Sequence, residues 1–223
     1  MINNDLDLEN WKELDINVDS LWLIDERDKS GKHSNIYHGN FIPQIPNQLI
    51  RRFTAENDIV LDTFLGSGTT LFECEKLNRK LIGFDINSKI IDFVVNQMKN
   101  SKYQNFEIVE CDVTNQTSFQ EGIRKSLGRL GGERVQFVIM HPPYMDIVKF
   151  TEMEEDLSQI SDLKVFVRTF NRAVENSIQF LEKNCYFAVV IGDVYKNGEV
   201  IPLGFYVLNG IKHNFKVKLK GII

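Results

Sequence analysis

The sequence lacks the features that mark membrane-spanning or secreted chains. Its longest apolar run, around 187–191, is far shorter than the roughly 20 residues that span a bilayer. Residues 1–9 contain Asp5, Asp7 and Glu9 but no basic residue, whereas a secretory signal needs a basic start followed by an apolar stretch. The sequence therefore predicts a cytoplasmic protein that makes no use of a membrane.

Cysteine is also scarce. The chain has 3 cysteines, Cys74, Cys111 and Cys185, which are far apart and set in apolar sequence. An odd, scattered set of this kind is typical of free, buried thiols in a reducing compartment. It favours neither a disulfide framework nor a zinc site, and we expect no metal.

An excess of positive charge is missing too. With 26 basic and 31 acidic residues the net charge is −5. Proteins that coat nucleic acid by charge alone are usually basic, so this class is disfavoured, although a local basic groove is compatible with the composition. An acidic run, Glu152 to Asp156, is expected to lie on the solvated surface.

What the sequence does contain is a regular alternation of strand and helix patterns. The predicted strands are 59–64, 80–86, 105–111, 135–140, 186–191 and 215–223, and the predicted helices are 47–53, 69–77, 88–99, 118–130, 162–183 and 202–212. Strands that alternate with helices pair in parallel, with the crossover helices on both faces. The chain is therefore predicted to form one Rossmann-like α/β domain with a mostly parallel, doubly wound sheet, whose ligands bind beyond the carboxyl ends of the strands.

The first predicted strand leads into a glycine turn, Asp-Thr-Phe-Leu-Gly-Ser-Gly-Thr-Thr, at 62–70. Gly66 and Gly68 allow a tight turn and a close approach to a ligand. The turn has neither the Gly-x-Gly-x-x-Gly pattern nor a lysine after Gly68, so a pyrophosphate cradle is not favoured. An ordinary strand-to-helix turn would also account for the glycines.

Two carboxylates follow the next two predicted strands. Asp85 lies about twenty positions beyond the glycine turn, where an acidic residue can accept hydrogen bonds from both hydroxyls of a ribose. Asp112 ends the third strand and could accept from an adenine amino group. Either residue alone is equally compatible with a helix cap or a turn. Together with the glycine turn, they predict an adenosine pocket.

The fourth predicted strand ends in His141-Pro142-Pro143-Tyr144. The prolines fix the backbone, and the Tyr144 ring offers a flat face. A planar base stacked on that face could donate its amino protons to the Pro142 carbonyl and to the His141 side chain. A rigid turn without a chemical role is the alternative.

These elements together resemble the S-adenosylmethionine-dependent amino-methyltransferases of DNA, the N6-adenine and N4-cytosine group. The glycine motif of that family is typically Asp-Pro-Phe-x-Gly-Ser-Gly-Thr-Thr, and its catalytic motif is Asp, Asn or Ser followed by Pro-Pro-Tyr. Residues 38–46 resemble the segment that covers the methionine moiety. The resemblance covers 32–223, which implies a catalytic domain there without a separate target-recognition domain, preceded by a polar extension at 1–31.

The resemblance implies S-adenosylmethionine as cofactor, DNA as substrate and a role in restriction-modification or in a phage-type system. The implied catalytic residues are His141, Pro142, Pro143 and Tyr144. The implied cofactor-binding residues are His38, Asn40, Phe41, Pro43, Asp62, Phe64, Gly66, Ser67, Gly68, Thr69, Thr70, Asp85, Ile86, Asn87 and Asp112.

The chain departs from the family pattern at two points. His141 replaces the usual Asp, Asn or Ser, and a neutral imidazole accepts only one hydrogen bond, through its unprotonated nitrogen. The family's final antiparallel strand has no counterpart after 215–223. We therefore expect a fragment, one half of a split enzyme, or a chain that a second polypeptide or a homodimer partner completes by adding to the sheet and reading the DNA sequence.

Two other functions fit the same residues. An RNA amino-methyltransferase uses similar Pro-Pro-Tyr sites, and a split methyltransferase contains a non-catalytic subunit that binds cofactor or DNA. The choice between adenine and cytosine is open, because His141 matches neither of the family's usual motifs.

Overall fold

A computed structural model describes residues 10–33 and 39–223 of the protein. In chain order the helices and strands are α1 (Gln44–Phe53), β1 (Ile59–Asp62), α2 (Thr69–Lys76), β2 (Lys80–Asp85), α3 (Ser88–Met98), β3 (Phe106–Glu110), α4 (Gln116–Leu130), β4 (Val135–Met140), α5 (Leu163–Ile178), β5 (Leu181–Val189), β6 (Val194–Lys196), β7 (Glu199–Ile201) and α6 (Leu203–Asn214). Single 3-10 turns form at Trp11–Glu13, Met145–Ile147 and Leu157–Gln159. Within the described ranges, no helix is both long and apolar enough to cross a membrane.

The main sheet has the strand order β3-β2-β1-β4-β5, and all its pairs are parallel. Every residue of β1 is buried, as the central strands of a sheet covered on both faces require. The predicted Rossmann-like, doubly wound sheet is confirmed. The strand order reverses between β1 and β4, so a crevice opens beyond the carboxyl ends of these two strands.

Alternate residues of the strands face two separate cores. Val60 packs with residues of α1, α2 and α3 on one face of the sheet. Ile59 and Leu61 pack with residues of α4, α5 and α6 on the other face. This period-two alternation anchors β1 from both sides and holds the glycine turn that follows it.

The prediction of a helix at 162–183 is wrong at its C-terminal end. α5 ends at Ile178, and β5 already begins at Leu181. The Val135 N–H donates to the Phe180 carbonyl, so the chain joins the ladder with β4 directly after the helix. Pairing with β4 thus overrides the helical spacing of the apolar residues in this stretch.

The prediction of a strand at 215–223 is also wrong. Residues 216–223 form no strand, and their hydrogen bonds are local ones, such as that from the Val217 N–H to the Phe215 carbonyl. Phe215 and Val217 still pack on the core. Alternating apolar residues and lysines suit a strand, but a strand also needs a neighbour to pair with.

The antiparallel hairpin of β6 and β7 was not predicted. Its tip is Asn197-Gly198, with φ angles of 55° and 81°. Both residues need positive φ in a two-residue hairpin turn, and Asn-Gly is the usual sequence for it. The Asn-Gly signal for a hairpin was therefore present in the sequence. Each flanking strand is too short to show the alternation of apolar and polar residues that is typical of a strand.

The described part of the N-terminal extension lies along α1. The Gln48 side chain accepts the Asn17 N–H at 2.7 Å and donates to the Asp15 carbonyl at 3.1 Å. A division between extension and catalytic domain at residue 31 stays a prediction.

Candidate active site

A cleft opens at the carboxyl ends of β1 to β4. The empty space in it is about 750 Å³, the open mouth included. The predicted residues that line it are Asn40, Phe41, Phe64, Gly66, Ser67, Thr69, Asp85, Ile86, Asn87, Asp112, His141, Pro142 and Pro143. The predicted residues Pro43, Asp62, Gly68, Thr70 and Tyr144 lie outside this lining, and His38 lies outside the described residues.

The glycine turn is held by the carboxylate of Asp85. Gly66 has a φ of 50°, and its N–H donates to Asp85 Oδ2 at 2.8 Å. Asp85 Oδ1 accepts the Asn87 N–H at 2.9 Å. Burial raises the pKa of Asp85 to about 6, against the lowering effect of these N–H donors. Each carboxylate oxygen keeps a second lone pair, and the residue lines the cleft.

Gly68 serves the turn rather than the cleft. It is the N-terminal cap of α2 with a φ of 85°. A Cβ atom at this position would lie 3.0 Å from the Val94 Cγ1 atom. The position therefore needs glycine both for its backbone angle and for the packing of α2 against α3.

Three buried polar atoms beside the turn lack a hydrogen-bond partner among the described residues: Asp62 Oδ2, Thr63 Oγ1 and Thr70 Oγ1. Asp62 is 1% exposed, and its Oδ1 accepts the Phe64 N–H at 3.0 Å. Burial raises the pKa of Asp62 to about 6; the Thr70 hydroxyl is close enough to lower this pKa but lies outside hydrogen-bond geometry. Unpartnered buried polar atoms are rare in native proteins and favour a polar group supplied from outside.

The cleft is acidic. Asp85, Asp112, Glu155 and Asp156 are among its lining residues, and none of the described lining residues is Lys or Arg. Such a cleft is suited to a ligand with cationic groups and hydroxyls, and it is unfavourable for a pyrophosphate.

One wall of the cleft comes from a strap between β4 and α5 that sequence reasoning missed. Its residues Phe150, Glu155, Asp156 and Leu157 line the cleft. The Phe150 carbonyl accepts from the Asn87 side chain at 3.4 Å, so the strap reaches the end of β2.

The prediction that the acidic run Glu152 to Asp156 lies on the solvated surface is wrong for Asp156, which is 3% exposed. Asp156 Oδ2 accepts from the N–H and hydroxyl of Thr151, and Oδ1 accepts the Ser158 N–H at 2.8 Å. Hydrogen bonds from these donors offset the energetic cost of burying the carboxylate. Closely spaced Thr, Asp and Ser residues are a signal for such a folded turn.

The Pro-Pro turn after β4 brings two predicted catalytic side chains together. His141 Nε2 lies 3.0 Å from the Tyr144 hydroxyl. Burial lowers the pKa of His141 to about 4, so the imidazole is neutral at pH 7. Burial raises the pKa of Tyr144, while the nearby Gly192 backbone N–H lowers it. No role was predicted for Gly192, because no local sequence pattern connects it with Tyr144.

A short segment joins the glycine turn to the Pro-Pro turn. The Asn40 side chain donates to the Ser67 hydroxyl at 2.9 Å. The ring of Phe41 lies 4.6 Å, centroid to centroid, from the His141 ring. The glycine turn and the Pro-Pro turn therefore border one continuous cleft.

Comparisons with known proteins point to one family. The N6/N4 methyltransferase family model, described as DNA methylase, matches residues 3–97. The type II methyltransferase M.MjaII of Methanocaldococcus jannaschii is 34% identical over 99 residues, which are 43% of this chain and 18% of that protein. M.HindIII of Haemophilus influenzae is 45% identical over 62 residues, 26% of this chain and 20% of that protein. The matched part thus spans about a fifth of the length of these curated relatives.

A solved structure shares the fold. It is SMU.1697c, a putative methyltransferase from Streptococcus mutans in complex with SAH, with a TM-score of 0.50 and 16% identity. The match covers 78% of this chain and 82% of that one. The glycine turn, the Pro-Pro-Tyr turn and the family match over residues 3–97 make the chain similar to the DNA amino-methyltransferases of the N6-adenine and N4-cytosine type.

Proposed function

We propose that this chain transfers a methyl group from S-adenosylmethionine to the exocyclic amino group of adenine or cytosine in DNA, as an enzyme of restriction-modification type or as one subunit of it. The observation that carries the proposal is the single acidic cleft that joins the glycine turn to the Pro-Pro turn. A cofactor bound along the first and a base bound at the second would meet in it.

The chemistry of the cleft fits this cofactor. S-adenosylmethionine has a sulfonium, an ammonium group and two ribose hydroxyls, and the cleft offers carboxylates without a competing cation among its described lining residues. We assign Asp85 to the ribose hydroxyls and Asp112 to the adenine amino group. Asp62 Oδ2 is an unpartnered buried acceptor beside the turn, which suits the ammonium end. When bound, the cofactor supplies an activated methyl group.

The protein's own part in the reaction is positioning. An exocyclic amino group is a weak nucleophile, because its lone pair is delocalised into the ring. A hydrogen bond from an amino proton to the Pro142 carbonyl would localise that lone pair as the new bond forms. The Tyr144 ring supplies the stacking surface, and the fixed turn aligns the nitrogen with the methyl group. In duplex DNA the base must first be flipped out of the helix.

An assay with methyl-labelled cofactor tests the proposal and its two alternatives. Genomic DNA and transfer RNA are offered separately, and the nucleosides are then identified by mass spectrometry. Label in N6-methyladenine or N4-methylcytosine of DNA supports the proposal. Label confined to transfer RNA would establish the RNA alternative. Cofactor binding without transfer to either would indicate a non-catalytic subunit.

The proposal extends to a partner strand at the edge of the sheet. Among the described residues, β5 pairs with β4 and with no second strand, and a strand edge without a neighbouring strand is a template for pairing with another chain. We propose that a strand of another polypeptide, a second copy or a sequence-reading subunit, pairs there. Sedimentation of the purified chain should show association. A stable monomer that methylates a defined DNA sequence would contradict this part of the proposal.

A further inference from the structure

The Tyr144 hydroxyl lies between two groups whose roles in hydrogen bonding differ. On one side is the Gly192 backbone N–H, which lowers the pKa of Tyr144 while burial raises it. On the other side His141 Nε2 lies 3.0 Å away. A backbone N–H can only donate, so among the described residues the partner at hydrogen-bond distance that can accept the phenol proton is His141 Nε2.

The direction of the hydrogen bond between Tyr144 and His141 follows from the phenol proton. The phenol has one proton to donate, and His141 Nε2 is the partner within hydrogen-bond distance among the described residues. The neighbouring imidazole is buried and neutral, so one of its two nitrogens is an acceptor. The arrangement in which the phenol proton meets an acceptor runs from the Tyr144 O–H to His141 Nε2. The remaining proton of the imidazole is then on Nδ1.

Packing holds this arrangement in place. Gly192 has no Cβ, and a Cβ at that position would lie 3.1 Å from the Tyr144 ring. The Phe41 ring lies against the His141 ring, with centroids 4.6 Å apart. The His141 and Tyr144 rings are thus packed between Phe41 and Gly192.

We propose that Tyr144 is a positioning residue that fixes His141 as its Nδ1–H tautomer, so that His141 offers the base a hydrogen-bond donor. This deepens the proposed function and rests on it where the base is concerned. It replaces the expectation that His141 accepts an amino proton, since its acceptor nitrogen is taken by Tyr144. The Pro142 carbonyl is then left as the acceptor at the amino group.

The tautomer selects a particular partner on the base. Adenine and cytosine both have an acceptor nitrogen in the ring next to the carbon that bears the amino group, N1 in adenine and N3 in cytosine. The Nδ1–H of His141 would bind this nitrogen. One residue can thus orient either base without the carboxylate, amide or hydroxyl that the family usually has at this position.

The tautomer is measured directly by long-range ¹H–¹⁵N NMR of the full chain labelled at histidine. The His141 signals are assigned by their loss in His141→Gln. We expect wild-type Nε2 to be unprotonated and Nδ1 protonated at neutral pH. Tyr144→Phe should produce a fraction of Nε2–H form, whereas Tyr195→Phe, which removes the hydroxyl of a 70% exposed tyrosine, should change nothing. A protonated Nε2 in the wild type would overturn the proposal even if Tyr144→Phe did not fold.

A second measurement tests contact with the base. DNA that carries 1-deazaadenine or 3-deazacytosine at the target lacks the ring acceptor, and the wild type should methylate it about tenfold more slowly, the effect of one lost hydrogen bond. His141→Ala should show no further loss with the deaza base. Equal wild-type rates on both substrates would overturn the assignment of the donor to the base. No transfer to any DNA would contradict the proposed function, while the NMR result would still decide the tautomer.

Discussion

At the scale of single residues, Asp85 combines two tasks, since it holds the glycine turn and faces the cleft. Asp85→Ala should weaken S-adenosylmethionine binding at least tenfold, about 1.4 kcal/mol, because charge-assisted hydrogen bonds are lost and the Gly66 and Asn87 N–H groups lose their acceptor. Calorimetry on the folded variant measures this. Asp92→Ala, on an exposed position of α3, is the control. Unchanged affinity in Asp85→Ala would remove Asp85 from the site.

The pKa of Asp85 adds a dependence on pH. Burial raises it from 3.8 to about 6, so the folded state favours the protonated acid. The resulting stabilisation of the unliganded protein is complete below the unfolded pKa and is lost as pH rises through about 6. The Tm of Asp85→Asn minus the Tm of the wild type should therefore increase as pH rises across this range. Taking this difference cancels the contributions of the other titrating groups. A constant difference in Tm would show that Asp85 does not titrate there.

Local pattern was informative for some site residues and silent for others. The glycine turn, Asp85 and the Pro-Pro turn follow strands directly, and a strand end is visible in the sequence. Gly192 and Asp156 act through contacts with loops that are remote in the chain. Such contacts depend on how the strap and the end of β5 pack, which no local pattern encodes.

At the scale of elements, the hairpin of β6 and β7 is tied to the turn after Tyr144. Lys196 Nζ lies 2.7 and 2.8 Å from the two oxygens of Asp146. Both side chains are partly exposed, so the pair contributes at most about 1 kcal/mol to stability. The pair also lowers the pKa of Asp146.

Lys196→Met should therefore leave the Tm nearly unchanged but lower methyl transfer several-fold, because the turn that holds Tyr144 loses its tie to the hairpin. Lys125→Met, on the exposed face of α4, is the matched control. Initial rates measured alongside thermal unfolding separate the two effects. A full loss of stability, or rates equal to those of the control, would contradict a positioning role for the hairpin.

Most helices and strands could be predicted from the sequence, but two stretches could not. The parallel strands and their crossover helices were predictable, since buried strands and amphipathic helices have distinct periods. The junction of α5 and β5 was not, because apolar spacing there suits a helix while pairing with β4 favours a strand. The strand expected at 215–223 failed for a related reason, namely that no neighbouring strand pairs with it.

At the scale of the whole molecule, the sheet brings two turns to one edge, the glycine turn that we propose for the cofactor and the Pro-Pro turn that we propose for the base. Tyr144 is part of the Pro-Pro turn and lies outside the lining of the cleft. Tyr144→Ala should therefore cut methyl transfer while S-adenosylmethionine affinity stays within about twofold, since stacking and orientation involve only the base. Parallel calorimetry and rate measurements check this. A loss of affinity as severe as that of Asp85→Ala would show that the roles of the two turns are not separate.

We propose that this cleft methylates an exocyclic amino group in DNA. Mass spectrometry of nucleosides from DNA incubated with the purified chain and methyl-labelled S-adenosylmethionine tests this directly. Labelled N6-methyladenine or N4-methylcytosine is expected with the wild type, and about tenfold less of either with Asp85→Ala at cofactor concentrations below the wild-type Kd. Label in neither nucleoside with a wild-type chain that binds the cofactor would contradict it.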